Sequence, residues 1–423
     1  MSRFLKSFVA SSVLVASFVH AQTPAALSIY LPAEPLVKEA VINSPLMDMA
    51  RSKKNAGTAR AQSIDAGLAE FTLRSTLQRR QDVLVNAQMH ESMLSIERPI
   101  RMWGKRGLDA QLSKQTQEFV DIEYADAMHE GTRELLRYWF SYLRTLVDVK
   151  IAQTNLDLAL KMRRLTQVQF KQGEISQLDE QLAIAEFERI NAARMVVNAQ
   201  LQSTTSVFVQ RYPAVKLPLE LPEPLGSSDH ANLPVLNASM SAMRQEFLDK
   251  NHELNMMRID AKRLQLVAER ASKDRMPDPT VGVFTARERS GTEAISGVLL
   301  SIPLAGPARE AHANAAQAEA QAASDKVRLA EQQLGASFDN MWIQFQSKRE
   351  ASQGLQLAWK TQAQAAEKSL KAYSLGEGNL SQVLVTSRFA SENLSATAHL
   401  NLDVLELLAL IRLDLHQMWD FDE

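Results

Sequence analysis

Cysteine is absent from the 423 residues, which excludes disulfides, thiolate metal sites and a cysteine nucleophile. It also excludes a lipid anchor on an N-terminal cysteine. Basic and acidic residues nearly balance at a net charge of −2, so no basic surface for nucleic acid is expected. The eight histidines show no helical i,i+4 pairing and no neighbouring ligands, and the sparse glycines form no phosphate-binding loop. With no Ser-His-Asp grouping either, we expect no catalytic site, no metal site and no cofactor.

Long apolar runs are also missing, because beyond the N-terminus no segment is expected to span a bilayer as a helix. The N-terminus itself has Arg3 and Lys6 ahead of an apolar stretch at residues 8–19, followed by Ala21. This pattern predicts a signal peptide over residues 1–21, cleaved after Ala21, and hence export. An N-terminal anchor helix is the alternative. An exported chain without spanning helices can enter a membrane only as a closed β-barrel.

Proline is concentrated in some regions and missing from others. The fourteen prolines leave residues 100–212 and 308–423 free of proline, and both stretches are rich in good helix formers. In residues 136–165, apolar side chains recur every three or four positions, as in packed coiled-coil helices. We therefore predict long helices over about 101–172 and 307–375. For the alanine-rich beginning of the second helix, a solvated face is the alternative to close packing.

The chain divides into two similar halves. Residues 211–234 hold five prolines and no helical periodicity, which predicts a linker. On either side, residues 22–210 and 235–423 carry matching segments in the same order, which indicates an internal duplication. The matches pair Asn43-Ser44-Pro45-Leu46 with Asn251-His252-Glu253-Leu254, Pro99 with Pro303, Tyr138-Trp139-Phe140 with Met341-Trp342-Ile343, and Phe170-Lys171-Gln172-Gly173-Glu174 with Tyr373-Ser374-Leu375-Gly376-Glu377. We expect each half to contain a helix, a β-hairpin, a long helix, a tip turn and a return helix.

Each half contains one predicted β-hairpin just before its long helix. In the second half, two alternating runs about a turn at Ser290-Gly291 predict a hairpin over about 280–302. In the first half, weaker alternation predicts a shorter hairpin over about 82–98, with a turn near residues 90–91 that contains no glycine. A hairpin in water, or a helix running through this stretch, is the alternative.

Strand count and helix length indicate how such a chain would assemble. Four strands cannot close a barrel, because about eight are needed, whereas three copies would supply twelve. Unpaired strand edges cannot stay in lipid, so strands in a membrane require several copies to close a ring. Each helix of about seventy residues would be roughly 100 Å long. If the chain reverses at Gly173 and Gly376, two half-length helices can stack beside each long helix and build a hollow cylinder.

Several of these segments in combination resemble the TolC-like outer-membrane efflux factor family over nearly the whole mature chain. They are Asn43-Ser44-Pro45-Leu46, the strand exit Pro99 with Trp103-Gly104-Lys105-Arg106, the second exit Leu300-Ser301-Ile302-Pro303-Leu304, and the turns at Gly173 and Gly376. The resemblance implies a mainly α fold whose long antiparallel coiled-coil helices form a periplasmic tunnel. It also implies that two β-hairpins per chain join a trimeric, twelve-stranded outer-membrane β-barrel. The Trp-Gly-Lys-Arg exit resembles the branch paired with metal-cation exporters.

The resemblance also implies roles for individual residues. Adaptor docking is expected at the tip turns, which are Gly173, Glu174, Ser176, Gly376, Glu377, Gly378 and Asn379. A helix-hairpin turn without a partner is the alternative there. The tunnel entrance is expected just beyond the turns, at Asp179, Glu180, Gln382 and Val385, while Pro99 and Pro303 mark the strand exits. Three copies of Asp179 would form a carboxylate ring that favours cations. A solvated helix face is the alternative for Asp179 and Glu180.

The function expected from these features is that of a passive channel and not of an enzyme. The resemblance implies a homotrimer in the outer membrane of a Gram-negative bacterium, extending into the periplasm. With a periplasmic adaptor (membrane fusion) protein and an inner-membrane pump, it would export small molecules, metal ions or proteins. Its other partner would be outer-membrane lipid, and it would bind no nucleic acid. The alternative is a periplasmic coiled-coil scaffold or adaptor-like protein without a membrane barrel, but two strand pairs at the repeat spacing favour the channel.

Overall fold

The computed structural model describes residues 25–421, apart from 68, 85, 221–232, 234–235 and 237. The predicted signal peptide and most of the predicted linker lie outside the described residues. The first series of elements is α1 (Ala25–Ser28), α2 (Glu34–Ile42), α3 (Pro45–Ala66), β1 (Thr72–Asp82), β2 (Ala87–Pro99), α4 (Lys105–Lys171) and α5 (Gln177–Arg211). The second is α6 (Met240–Lys250), α7 (His252–Asp274), β3 (Thr280–Glu288), a 3-10 turn (Arg289–Gly291), β4 (Glu293–Ser301), α8 (Pro307–Ser374) and α9 (Leu380–Asp414).

Two long helices set the dimensions of the molecule. Helices α4 and α8 contain 67 and 68 residues, which is about 100 Å at the usual rise per residue. Pro307 is the first residue of α8, where its missing N–H and fixed φ suit a helix start. Two shorter helices pack beside each long one, α3 and α5 against α4, and α7 and α9 against α8. The predicted mainly α fold with long antiparallel helices is therefore confirmed.

The main hydrophobic core lies at mid-height, where α4, α8 and the C-terminal part of α9 meet. The spacing that predicted packed helices supplies this core, since Leu136, Phe140 and Leu143 of α4 are fully buried. Phe338 and Phe345 of α8 pack into the same cluster. The alanine-rich start of α8 is largely exposed, and a smaller cluster joins it to α7 at Ala271, Ala313 and Ala316.

Helix α9 corrects one expectation from the sequence. By length and composition it is apolar enough to cross a membrane, the one such helix among the described residues, although no such segment was predicted. Its most apolar stretch is 56% buried inside the chain, because Leu402, Leu405, Leu408 and Ile411 belong to the main core. A helix that packs into the core of a water-exposed helical region has the same apolar composition as a membrane-spanning helix.

The four strands form one antiparallel sheet in the order β1-β2-β3-β4, so each hairpin pairs with the other through β2 and β3. The register aligns four apolar residues in a row across the sheet, Leu73, Ile96, Val283 and Val298. Strands β1 and β4 lie at the two edges, each with one side unpaired within the described chain. The sheet is therefore open.

The first hairpin was predicted over the wrong residues. Its strands are residues 72–82 and 87–99, whereas the sequence predicted about 82–98 with a turn near 90–91. Helix α3 ends at residue 66. The cause is the composition of β1, which has only two leucines and places Arg79 on the same face as them, so the strand pattern is obscured. The turn uses Asn86 at φ 48° in place of glycine, as asparagine tolerates the left-handed region.

A buried lysine joins the first strand exit to the segment before the second hairpin. Lys105, in the Trp-Gly-Lys-Arg exit, is fully buried at the start of α4. Its Nζ donates to the Met276 carbonyl at 2.7 Å and to Asp278 Oδ1 at 2.8 Å, and lies 3.0 Å from Asp274 Oδ1. These partners end α7 and precede β3, so the ammonium ties the exit of the first hairpin to the entry of the second.

Candidate functional site

The candidate site comprises the two helical turns farthest from the sheet, and both use the same hydrogen bonds. Gly173, at φ 76°, donates its N–H to the Phe170 carbonyl at 3.0 Å, and Glu174 donates to Gln169 at 2.9 Å. This pair of bonds is the Schellman motif, which needs a residue in the left-handed conformation and therefore favours glycine. The second turn repeats it with Gly376 to Tyr373 at 3.0 Å and Glu377 to Ala372 at 2.9 Å.

The return helices begin with matched side-chain caps. Ser176 Oγ accepts the Asp179 N–H at 3.2 Å, and Asn379 Oδ1 accepts the Gln382 N–H at 2.7 Å. Each cap satisfies one of the unpaired N–H groups that start a helix. Both chain reversals are therefore specified locally, by a glycine that ends one helix and a cap that starts the next.

Both turns are exposed. Gly173, Gly376 and Gly378 have open space where a side chain would project. Leu178 and Leu375, one beside each turn, are 63% and 69% exposed. Each turn therefore combines an open glycine backbone with one exposed leucine.

The predicted entrance residues lie in the first turns of the return helices. Asp179 and Glu180 begin α5, where carboxylates are stabilised by the helix dipole, and Gln382 occupies the matching exposed position in α9. Burial, and then the charge of Asp179, raises the pKa of Tyr373 on α8. The structure thus brings Asp179, in the pair of helices α4 and α5, close to the pair of helices α8 and α9.

A charged cluster that the sequence did not reveal lies above the entrance. Arg189 donates to both oxygens of Glu186 within α5, at 2.8 and 2.7 Å, and Arg388 of α9 lies 3.5 Å from the same carboxylate. The Arg189 hydrogen bond is the main reason that the pKa of Glu186 is below its usual value. These residues border a cavity of about 200 Å³ between α4, α5 and α9. One ion pair, Arg388 to Glu186, thus connects α5 and α9, which otherwise touch little.

The sheet has two chemically different faces. The polar face holds ion pairs from Arg74 to Glu97 at 3.0 Å and from Arg80 to Glu91 at 3.2 Å. The other face is lined by apolar side chains that no described element covers. They are Leu73, Leu77, Leu94, Ile96, Val281, Val283, Val298 and Leu300, with Leu77 and Val298 more than 80% exposed. Alternation of this kind over strands of 9 to 13 residues is the pattern of membrane barrels.

Three histidines that are distant in sequence meet in the fold. His129, His252 and His416 have ring centroids within 4.8–5.8 Å of one another, although the sequence indicated no histidine cluster. Within the described ranges, no group of three or more His, Asp or Glu side chains is arranged to hold a metal ion. No spacing signal could have revealed this cluster, because its members come from α4, α7 and the segment after α9.

Comparisons with known proteins give matches of structure. No family model matches the sequence, and no curated protein matches it. The outer-membrane protein VceC from Vibrio cholerae superposes with a TM-score of 0.73 at 15% identity, covering 92% of this chain and 96% of that chain. The outer-membrane channel OprN gives a TM-score of 0.79 at 16% identity, covering 99% of both chains. The Campylobacter jejuni CmeC outer membrane channel gives 0.72 at 12% identity, covering 90% and 85%.

These superpositions extend over nearly the whole chain and include both the strands and the long helices. The chain therefore has the fold of the TolC-like outer-membrane efflux channels, which is the fold that the sequence resemblance predicted. At sequence identities of 12–16%, the comparison establishes the fold and nothing beyond it.

Proposed function

We propose that this chain is the outer-membrane channel component of a tripartite efflux system, a passive conduit from the periplasm to the exterior. The observation that carries the proposal is the open four-stranded sheet, with one uncovered apolar face and two unpaired edges. In lipid, such edges would leave backbone groups without hydrogen bonds, and only ring closure with further copies satisfies them. Three copies give twelve strands, enough for a barrel with an open lumen.

In such a ring, the polar face of the sheet would line the lumen. The Arg74–Glu97 and Arg80–Glu91 pairs would then line water, while Leu77 and Val298 would contact acyl chains. A periplasmic scaffold has no need for a sheet with a band of exposed apolar side chains on one face. The chain would accordingly reside in the outer membrane of a Gram-negative bacterium, with the helices extending into the periplasm.

The helical tips would serve as the docking surface for a periplasmic adaptor, which connects the channel to an inner-membrane pump. The exposed turns at Gly173, Glu174, Ser176 and at 376–379 are supported in this role by their matched geometry and by the exposed leucines beside them. The energy for transport would come from the pump, and the cargo would be selected there.

Asp179 and Glu180 at the start of α5 would line the entrance, with Gln382 at the corresponding place in α9. In a trimer each residue occurs three times, so the carboxylates of Asp179 and Glu180 would form rings that attract cations. The Glu186–Arg388 pair would hold the entrance closed by joining helices α5 and α9 of one chain.

Conductance of the purified protein in planar bilayers tests this function. We expect stepwise openings with a preference for cations, because carboxylates line the entrance. Asp179→Asn should lower that preference, whereas Asp325→Asn, which removes an exposed carboxylate on α8, should leave it unchanged. A protein that gives no openings and is recovered in the soluble periplasmic fraction would identify a scaffold and reject the channel.

A further inference from the structure

A cluster of three imidazoles fastens the end of the described chain to its core. His129 lies on α4, His252 is the first residue of α7, and His416 follows α9. The centroid distances are 5.4 Å between His129 and His252, 5.8 Å between His129 and His416, and 4.8 Å between His252 and His416. Each ring therefore touches the other two.

His416 occupies a backbone position that ordinarily favours glycine. Its φ is 54°, and it ends α9 with the bonds of a Schellman motif, His416 N–H to the Leu413 carbonyl at 3.0 Å and Gln417 N–H to Arg412 at 2.8 Å. The left-handed conformation is unfavourable for a residue with a side chain. Here it directs the imidazole to the other two rings.

Residues 415–421 form a segment folded back on the core. Met418, Trp419 and Phe421 are buried, and the last two border Met128 of α4. Lys250 of α6 donates to the Leu415 carbonyl at 2.9 Å. The segment thus covers apolar surface of α4 and is held at its first turn by the histidine cluster.

Charged groups around the cluster can offset only part of an added positive charge. The buried Asp414 carboxylate is paired with Arg133, and Asp420 lies 3.4 Å from His416 Nδ1. His252 is the first residue of α7, at the positive end of its helix dipole. The groups facing the cluster are Asp126, Glu130 and Arg133 on α4, Glu246 and Lys250 on α6, Glu253 on α7, and Asp414 and Asp420 near the C-terminus.

His129 is the imidazole least able to take a proton. Burial, followed by the charge of Arg133 and by the two neighbouring histidines, lowers the pKa of His129 to about 3, against a weaker opposite effect of the Leu413 carbonyl. Asp414 lies 3.6 Å from its Nε2 but is already paired with Arg133. Protonation of His129 is therefore incompatible with the packed cluster.

We propose that the His129–His252–His416 cluster is an acid-sensitive fastening that releases residues 415–421 from the core when the medium acidifies. The direction of this pH effect follows from the linkage between proton uptake by His129 and release of the segment. His129 stays neutral while the segment is docked, and its pKa rises when the segment leaves, because burial decreases and His416 moves away while Arg133 and His252 stay beside it. Docking is therefore fully stabilised near neutral pH and weakens as the pH falls. The inference does not depend on the channel function.

Hydrogen exchange measured by mass spectrometry tests the fastening on the full chain in detergent, with a chelator present. The reporters are the amides of Leu415, His416 and Gln417, which donate the hydrogen bonds that end α9. Between pH 7.5 and 5.5, after correction for intrinsic exchange, their protection should fall, by up to about tenfold, the limit for one proton taken up at the free imidazole pKa near 6.5.

Two variants remove the cluster in different ways. His416→Gly keeps the left-handed position and relieves its strain, so it should fold, and His129→Gln removes the ring of α4. His129→Gln should lose most of the pH dependence, whereas His416→Gly should lose part of it, because His129 and Arg133 remain while one neighbouring ring is gone. His399→Gln is the matched control, since His399 bonds Asp148 at 2.7 Å away from the cluster, and it should retain the wild-type fall.

The proposal is overturned if wild-type protection does not change with pH, or if both cluster variants keep the fall. It is also overturned if wild-type protection at pH 7.5 requires added Zn²⁺, because the cluster would then be a metal site. Loss of the fall in His129→Gln and a smaller fall in His416→Gly, with retention in His399→Gln, supports it.

Discussion

At the scale of single residues, the two reversals of the chain depend on glycine in a left-handed conformation. Gly173 and Gly376 have open space around the missing side chain, so any cost of substitution comes from the backbone. Gly173→Ala should lower the stability by about 1–2 kcal/mol, the cost of the left-handed conformation for a residue with Cβ. The measurement is the change in Tm of the purified protein.

Gly354 supplies the control for that prediction. It lies inside α8 with ordinary helical geometry and equally open surroundings. Gly354→Ala should therefore raise the stability by about 0.5–1 kcal/mol. If both alanine variants shift Tm in the same direction, left-handed strain is not what requires glycine at the tip.

The roles of some residues could be predicted from the sequence, and those of others could not. Ser176 and Asn379 could be predicted as caps because their partners lie three positions along the chain. The contacts of Lys105 with Asp278 could not, because they join residues far apart in sequence whose meeting depends on the whole fold. The histidine cluster and the Glu186–Arg388 pair were missed for the same reason.

At the scale of elements, strand β1 carries a direct test of which face of the sheet meets lipid. Leu77 is the middle residue of β1 on the apolar face, and Thr76 beside it points to the polar face. Leu77→Arg should weaken membrane assembly by about 2–4 kcal/mol, the cost of arginine at mid-bilayer in a barrel. The measurement is the fraction of protein that resists urea extraction from outer membranes.

Thr76→Arg is the control for Leu77→Arg, since it adds the same charge one position away. On the polar face, arginine joins Arg74 and Gln78 and should change extraction little. Equal losses for the two variants would show that the sheet does not separate lipid from water.

The elements also show where sequence patterns succeed. The second hairpin and both long helices were placed within a few residues, because alternation, proline spacing and a glycine turn all agreed. The first hairpin was displaced because Ser75, Arg79 and Gln81 share a face with the two leucines of β1 and break the alternation. A strand with so few apolar residues resembles a charged loop unless its partner strand is known.

At the scale of the whole molecule, the chain is well packed at mid-height and incomplete at the sheet. The main core joins α4, α8 and α9, whereas the sheet leaves its apolar face and both edges uncovered within the described residues. From the sequence of one chain it can be predicted that several copies associate, because four strands cannot close a barrel. The number of copies is not encoded in any local pattern, because it depends on how the strands tilt around a closed ring.

The central claim is that copies of this chain close a ring by pairing β4 of one copy with β1 of the next. Because the chain lacks cysteine, a disulfide scan is clean: Ser75→Cys on β1, combined in turn with Ser296→Cys, Val298→Cys or Leu300→Cys on β4. Within one chain these edges are three strand spacings apart, about 14 Å, beyond the reach of a disulfide. Oxidised outer membranes should contain disulfide-linked dimers and trimers for at least one pair and none for the single-cysteine variants. Membrane-inserted protein that forms no bond between chains with any pair, or that forms chains longer than three, would contradict the account.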